Sequence, residues 1–178
     1  MSPLSELAET DFAACRATAD TIINKTWDNS LTFDRVLTLA LEYNRVCFTL
    51  ERVENAFLIL MVAFEALFKR DETENGSKAS WRIGRLLGQN KKECQEVKQA
   101  FFDDTVFAYS KIRNKIAHGN PSLNLSDVEA HYPGLHGYLR QAIIALLAWR
   151  PGTIDATKNY YDEVDRQVEA RFRMLPPT

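Results

Sequence analysis

The run Ala56–Phe64 is apolar at every position, and Glu65 then breaks it. It falls well short of the ~20 apolar residues that a membrane span needs, so it reads as a helix buried in a protein interior. Glu65 sits either at the edge of that helix as a plain surface position or partly buried and paired, because a lone buried charge is costly. Arg113 and Arg82 are its candidate partners.

The rest of the chain follows the same rule. Apolar residues recur at spacings of three and four, and the few glycines and prolines fall in clusters that punctuate these stretches. The expected fold is all-α, a single-domain helical bundle of about five to seven helices over residues 1–178. A hydrophobic share of 46% in 178 residues supplies its core. A first helix is expected around Asp11–Asn24, then a loop at Trp27–Ser30. The next helix carries Phe33, Val36, Leu37, Ala40 and Leu41 on its inner face, and a break near Thr49–Arg52 precedes a helix around Val53–Phe68. Val46–Thr49 is also compatible with an extended segment.

Asp71–Ser77 is a polar turn, with Ser77 as N-cap of a short helix that Gly88 ends. One long helix is expected from about Lys91 to His118 on the stripe Val97, Phe101, Thr105, Ala108, Ile112 and Ile116, stopped by Gly119 and Pro121. Ser126–Glu129 has the pattern of a capping box, but Pro133 would fall inside its helix, so a short turn is expected before a main helix from Pro133 to Trp149. A final charged helix is expected from Asp155 to Arg173.

Cys15, Cys47 and Cys94 lie far apart, which argues against a disulfide framework or a zinc knuckle and fits a reducing, cytoplasmic setting. The N-terminus has no basic stretch followed by an apolar one, so no secretory signal is expected. His131 and His136 have only Glu129 nearby, which is too little for zinc, and no metal or cofactor is expected. There is no glycine-rich phosphate loop.

The formal charge of −2 announces no nucleic-acid partner, yet Thr105–Ser126 contains no acidic residue while Lys111, Arg113 and Lys115 are basic. Arg113 and His118 stand five residues apart, roughly 140° around a helix, and so flank a groove. Asn114 and His118 share one face. A cationic imidazole interacts favourably with the exposed carbonyls of a last helical turn. RNA carries its own nucleophile, the 2′-hydroxyl. Cutting it to a 2′,3′-cyclic phosphate therefore requires proton transfer, which histidine performs, and a cation for the phosphorane, for which the planar arginine fork is suited. A helix cap by His118 beside a solvated basic face accounts for the same spacing without chemistry. Arg82 and Arg85 would extend a phosphate-binding surface, or be merely solvated or salt-bridged. Tyr109 either stacks on a base or packs.

Arg113-Asn-Lys-Ile-Ala-His118-Gly119 resembles the R-N-x-x-x-H signature of the HEPN superfamily. Asn55–Phe68, with its Glu65-Ala-Leu-Phe68 end, and Ser80–Gly88 resemble the preceding helices of the Apea-like HEPN group, and the likeness covers about residues 33–150. The resemblance implies a homodimer in which two such motifs form one composite cleft, a metal-independent endoribonuclease with Arg113, Asn114 and His118 as catalytic residues. It also implies a toxin or antiviral-defence setting with an antitoxin or defence-system partner. Lys111, Lys115, Arg82 and Arg85 would bind the RNA, with Glu65 and Tyr109 in support. Some members of the superfamily are non-catalytic modules that bind RNA, a nucleotide or a protein.

Overall fold

A computed structural model describes residues 32–102, 112–120, 122–149 and 159–178. Among these residues the chain forms seven helices and no strand: α1 Thr32–Cys47, α2 Val53–Phe68, α3 Gly76–Leu87, α4 Lys91–Phe101, α5 Asn114–Ala117, α6 Leu125–Trp149 and α7 Tyr160–Met174. The fold is the expected all-α bundle. The helix expected at Asp11–Asn24 and the stretch 155–158 lie outside the described residues.

The apolar run becomes the centre. α2 packs against α1, α3, α5 and α6, and α6 in turn touches α1 through α4. Phe57, Leu60, Met61, Phe64, Leu67 and Phe68 are fully buried, and the Phe64 ring stacks on Phe101 at 4.5 Å between centroids. Burying an aliphatic or phenyl side chain contributes roughly 1.5–3 kcal/mol, so this one helix supplies a large part of the driving force. On α1, Phe33, Val36, Leu37 and Ala40 face the core as their spacing requires. The chain stays helical through Cys47 and then turns, so the Val46–Thr49 segment is not extended.

Three boundaries differ from the sequence reading. Asn75, not Ser77, caps α3: its side chain accepts from the Ser77 N–H at 2.8 Å. The long helix expected from Lys91 to His118 stops at Phe101, where Phe102 is extended with φ −146° and ψ 100°. Its stripe still works in the described parts, because Val97, Phe101 and Ile112 are buried and Ile116 packs on the core. Finally, α6 runs unbroken through Pro133. Pro133 and Glu129 are both exposed, so water can serve the Glu129 carbonyl that loses its intrahelical donor, and no separate turn is needed. Asn124 opens α6, its side chain accepting from the Ser126 N–H at 3.2 Å, so the serine is not the cap.

α3 and α4 close tightly because Gly84 and Gly88 lack side chains: a Cβ at Gly84 would lie 2.4 Å from the Cys94 carbonyl oxygen, and one at Gly88 2.4 Å from the Cys94 nitrogen. Cys47 and Cys94 are buried free thiols. Among the described residues, no helix is long and apolar enough to cross a membrane.

Tyr160 begins α7 with its ring 5.4 Å from Phe33 and only 1% of its surface exposed. Its hydroxyl is buried without a hydrogen-bond partner, and burial pushes the phenol well above its ordinary range. An unsatisfied buried hydroxyl is a cost that phenylalanine removes at almost constant shape. Tyr160→Phe is therefore expected to raise stability by about 1 kcal/mol in urea unfolding followed by circular dichroism. A loss of that size would mean the hydroxyl has a partner.

Candidate functional site

The motif begins where α5 meets α2. Ile112 is buried, and with Arg113 it forms a wider, π-type turn leading into α5, which packs on α2. The four-residue α5 ends in a double backbone closure: the Gly119 N–H donates to the Ile116 carbonyl at 3.1 Å, and the Asn120 N–H donates to the Lys115 carbonyl at 2.9 Å. This is the Schellman arrangement, and it needs the left-handed conformation that Gly119 adopts with φ 58°. Gly119 thus performs the stop that the sequence assigns to it. His118 is the residue immediately before, its N–H donating to the Asn114 carbonyl at 3.0 Å.

The imidazole of His118 is exposed and makes no hydrogen bond or ion pair among the described residues. Its backbone is therefore fixed while its ring is open to a ligand. Because nothing lies within 4 Å of a Cβ built on Gly119, Gly119→Ala would meet only the conformational penalty. That penalty is roughly 1 kcal/mol for an L-residue held at positive φ. The variant is expected to lose about that much stability and to shift the His118 backbone amide resonance; an unchanged amide would show that the turn does not hold the histidine.

Arg113 is held from the other side. Its Nη2 lies 3.3 Å from Glu65 Oε1, with the side chains 30% and 21% exposed. The glutamate that interrupts the apolar helix is thus the partner of the motif arginine, which is the first of the two pairings considered from sequence. Arg113 Nη1 also approaches Asn114 Oδ1 at 3.4 Å, while Asn114 itself is exposed. Lys115 bends back, its Nζ donating to the Ser122 carbonyl at 3.2 Å. Lys111 and Tyr109 lie outside the described residues.

The two arginines of α3 do not belong to this site. Arg82 is 1% exposed. It pairs with Glu74 at 2.5 Å and with Asp165 at 2.7 Å, and donates to the Phe68 carbonyl. Arg85 pairs with Glu169 at 2.5 Å while its guanidinium carbon sits 4.7 Å from the Phe172 ring centroid and 5.2 Å from that of Trp81. Both face α7, whereas the motif packs on α2. The expectation that Arg82 contacts RNA is corrected accordingly: its donors are engaged within the fold and no solvent-facing surface remains, while Arg85, 28% exposed, spends its Nη1 on Glu169 at the α7 side. The partners Glu74, Asp165 and Glu169 were not singled out from sequence. Glu74, Lys78 and Arg82 at successive four-residue steps were the available signal, and Lys78 Nζ indeed lies 3.3 Å from Glu74.

His136 is buried between Tyr132 and Phe48, and burial, then Arg140, lower its affinity for a proton. Among the described residues, no group of three His, Cys, Asp or Glu side chains could hold a metal ion. Comparisons of the chain with protein-family models, with curated proteins and with solved structures found no match.

Proposed function

We propose that this chain is a metal-independent endoribonuclease, acting in the cytoplasm as a homodimer in a toxin or antiviral-defence setting. The observation that carries the reading is an exposed, unpartnered His118 on a backbone-locked helix end, five residues after an arginine that Glu65 holds at the same end of α2.

The chemistry follows from what these groups do. The RNA 2′-hydroxyl loses its proton and attacks the adjacent phosphorus. The phosphorane charge is met by the Arg113 fork, and the 5′-oxygen leaves as it gains a proton. The products are a 2′,3′-cyclic phosphate and a 5′-hydroxyl end. One imidazole can serve as base or as acid in a given step but not as both. Two copies of His118 facing each other supply the pair, which is the physical argument for a composite dimeric cleft. Asn114, beside Arg113 and exposed, would position a phosphate oxygen, and Lys115 with Lys111 would hold the flanking backbone.

A second reading, a non-catalytic module that binds RNA, a nucleotide or a protein partner such as an antitoxin, draws support from one observation: Glu65 already offsets part of the Arg113 charge that a phosphorane would need. Purified protein incubated with total RNA in EDTA separates the two. Cleavage that leaves cyclic-phosphate ends supports the enzyme; RNA binding without cleavage supports the module. Sedimentation adds the other half, because a strict monomer would hold only part of the composite site.

A further inference from the structure

At Glu65, the partner of the motif arginine, α1, α2, the turn after α2 and the start of α7 line an open cleft of about 290 Å³. That is near the lower end of the ~300–1,000 Å³ typical of small-ligand pockets, enough for one flat group and its stem. Its lining is chemically specific. Tyr43 and Tyr161 provide aromatic surface, and three acidic residues, Glu65, Asp71 and Glu72, line the cleft beside one basic residue, Lys69. The Tyr161 hydroxyl donates to the Ala66 carbonyl at 3.0 Å, which holds that ring in place. Hydrogen bonds from Thr73 hold the Asp71 carboxyl below its ordinary range, so it stays charged.

The same fold shows what this combination accommodates. Arg82 places its guanidinium carbon 5.8 Å from the Tyr161 centroid while pairing with two carboxylates. Arg85 lies against Trp81 and Phe172 while pairing with Glu169. Aromatic surface with carboxylates is thus how this protein seats its own guanidinium groups, and the cleft repeats that composition without an arginine of its own lining it.

We propose that the cleft binds a guanidinium group, carried by a free small molecule or by an arginine side chain of a peptide. A planar guanidinium stacks on tyrosine and donates paired N–H groups to a carboxylate, which an ammonium does not do. Glu65 lines the cleft and also pairs with Arg113, so a bound guanidinium competes with Arg113 for that carboxylate. Linkage makes the effect reciprocal: the occupant loosens Arg113, and Arg113 weakens the occupant. The assignment is independent of whether the motif cuts RNA.

The test is calorimetric titration of the full chain with N-acetyl-arginine amide, whose only charge is the guanidinium, beside N-acetyl-citrulline amide, which has nearly the same shape and no charge. Binding of the first without the second is expected. Glu72→Gln at an exposed position and Tyr43→Ala should each weaken it by about tenfold, a size ordinary for one lost charge pair or stacking contact. Circular dichroism melts confirm that each variant is folded. Arg113→Ala should tighten binding several-fold by releasing Glu65. An Arg-containing tetrapeptide that binds about tenfold better than the capped amino acid assigns the occupant to a protein partner, and equal affinity assigns it to a small molecule. No binding at millimolar concentration, equal binding of citrulline, or unchanged affinity in both Glu72→Gln and Tyr43→Ala overturns the site. Unchanged affinity in Arg113→Ala overturns the coupling.

Discussion

Arg82→Ala is expected to destabilise the protein by about 3–5 kcal/mol at neutral pH, the range for removing one member of a buried ion pair and stranding the other. Arg82 joins three places in the chain: Glu74 before α3, Asp165 on α7 and the carbonyl of Phe68 at the end of α2. Asp165 is a third exposed, so water replaces part of what it loses, whereas the Glu74 side chain is 8% exposed. Most of the cost therefore falls on Glu74 and the Phe68 carbonyl. Burial by itself would raise the Glu74 carboxyl; hydrogen bonds from Arg82 and from the Arg70 N–H, with the Arg82 charge, outweigh it and hold the group at about 2 against an ordinary 4.5. A carboxyl depressed in the folded state contributes stability that is present above 4.5 and is lost as pH falls from there towards 2. The wild type should lose stability through that window. The gap between wild type and Arg82→Ala should narrow there, because the variant's Glu74 lacks the partner that depressed it. Urea unfolding at pH 7 and pH 3 measures both effects, and a loss below about 1 kcal/mol at pH 7 would show that the clasp does not lock α7 to α3.

His118→Ala is expected to reduce RNA cleavage in EDTA by about 10²–10⁴-fold, the usual contribution of a positioned proton-transfer group. The exposed imidazole has no partner among the described residues, so the melting curve should barely move, and loss of activity cannot then be assigned to unfolding. Arg113→Ala should act on the same step. Arg113→Lys should recover only a fraction, because an ammonium keeps the charge and loses the paired donors. The readout is the fraction of products carrying cyclic-phosphate ends. If His118→Ala cleaves within about threefold of wild type, which is under 1 kcal/mol of barrier, the histidine is not the proton-transfer group and the nuclease reading falls with it.

Much of this architecture is legible along the chain because it rests on local rules. The three-and-four spacing marks α1 and α2, and glycine after a helix marks the ends at Gly88 and Gly119. The Glu65–Arg113 pair could be anticipated as one of two options, because a charge interrupting an apolar helix needs a partner. What stayed hidden depends on residues distant in the chain. Arg82 looks like any surface arginine until α7 brings Asp165, 83 residues away, against it. The break at Phe102 carries no glycine or proline, so none of the usual stop residues marks it in the sequence. Pro133 misled in the opposite direction, because its cost depends on whether the orphaned carbonyl meets water or core, and here the face is exposed.

The pairing of Arg113 with Glu65 also bears on how an RNA strand would be captured. Polyanion binding is usually driven by release of counterions as basic side chains neutralise phosphates, which makes affinity fall steeply as salt rises. Here Arg113 already faces a carboxylate, Lys115 already donates to the Ser122 carbonyl, and the whole chain carries a net charge of −2. Few counterions would leave on binding, and the affinity would decline only gently with ionic strength. If two such motifs face each other as proposed, the site would select by their geometry rather than by long-range attraction, and would stay quiet toward bulk nucleic acid until the right strand lay across it.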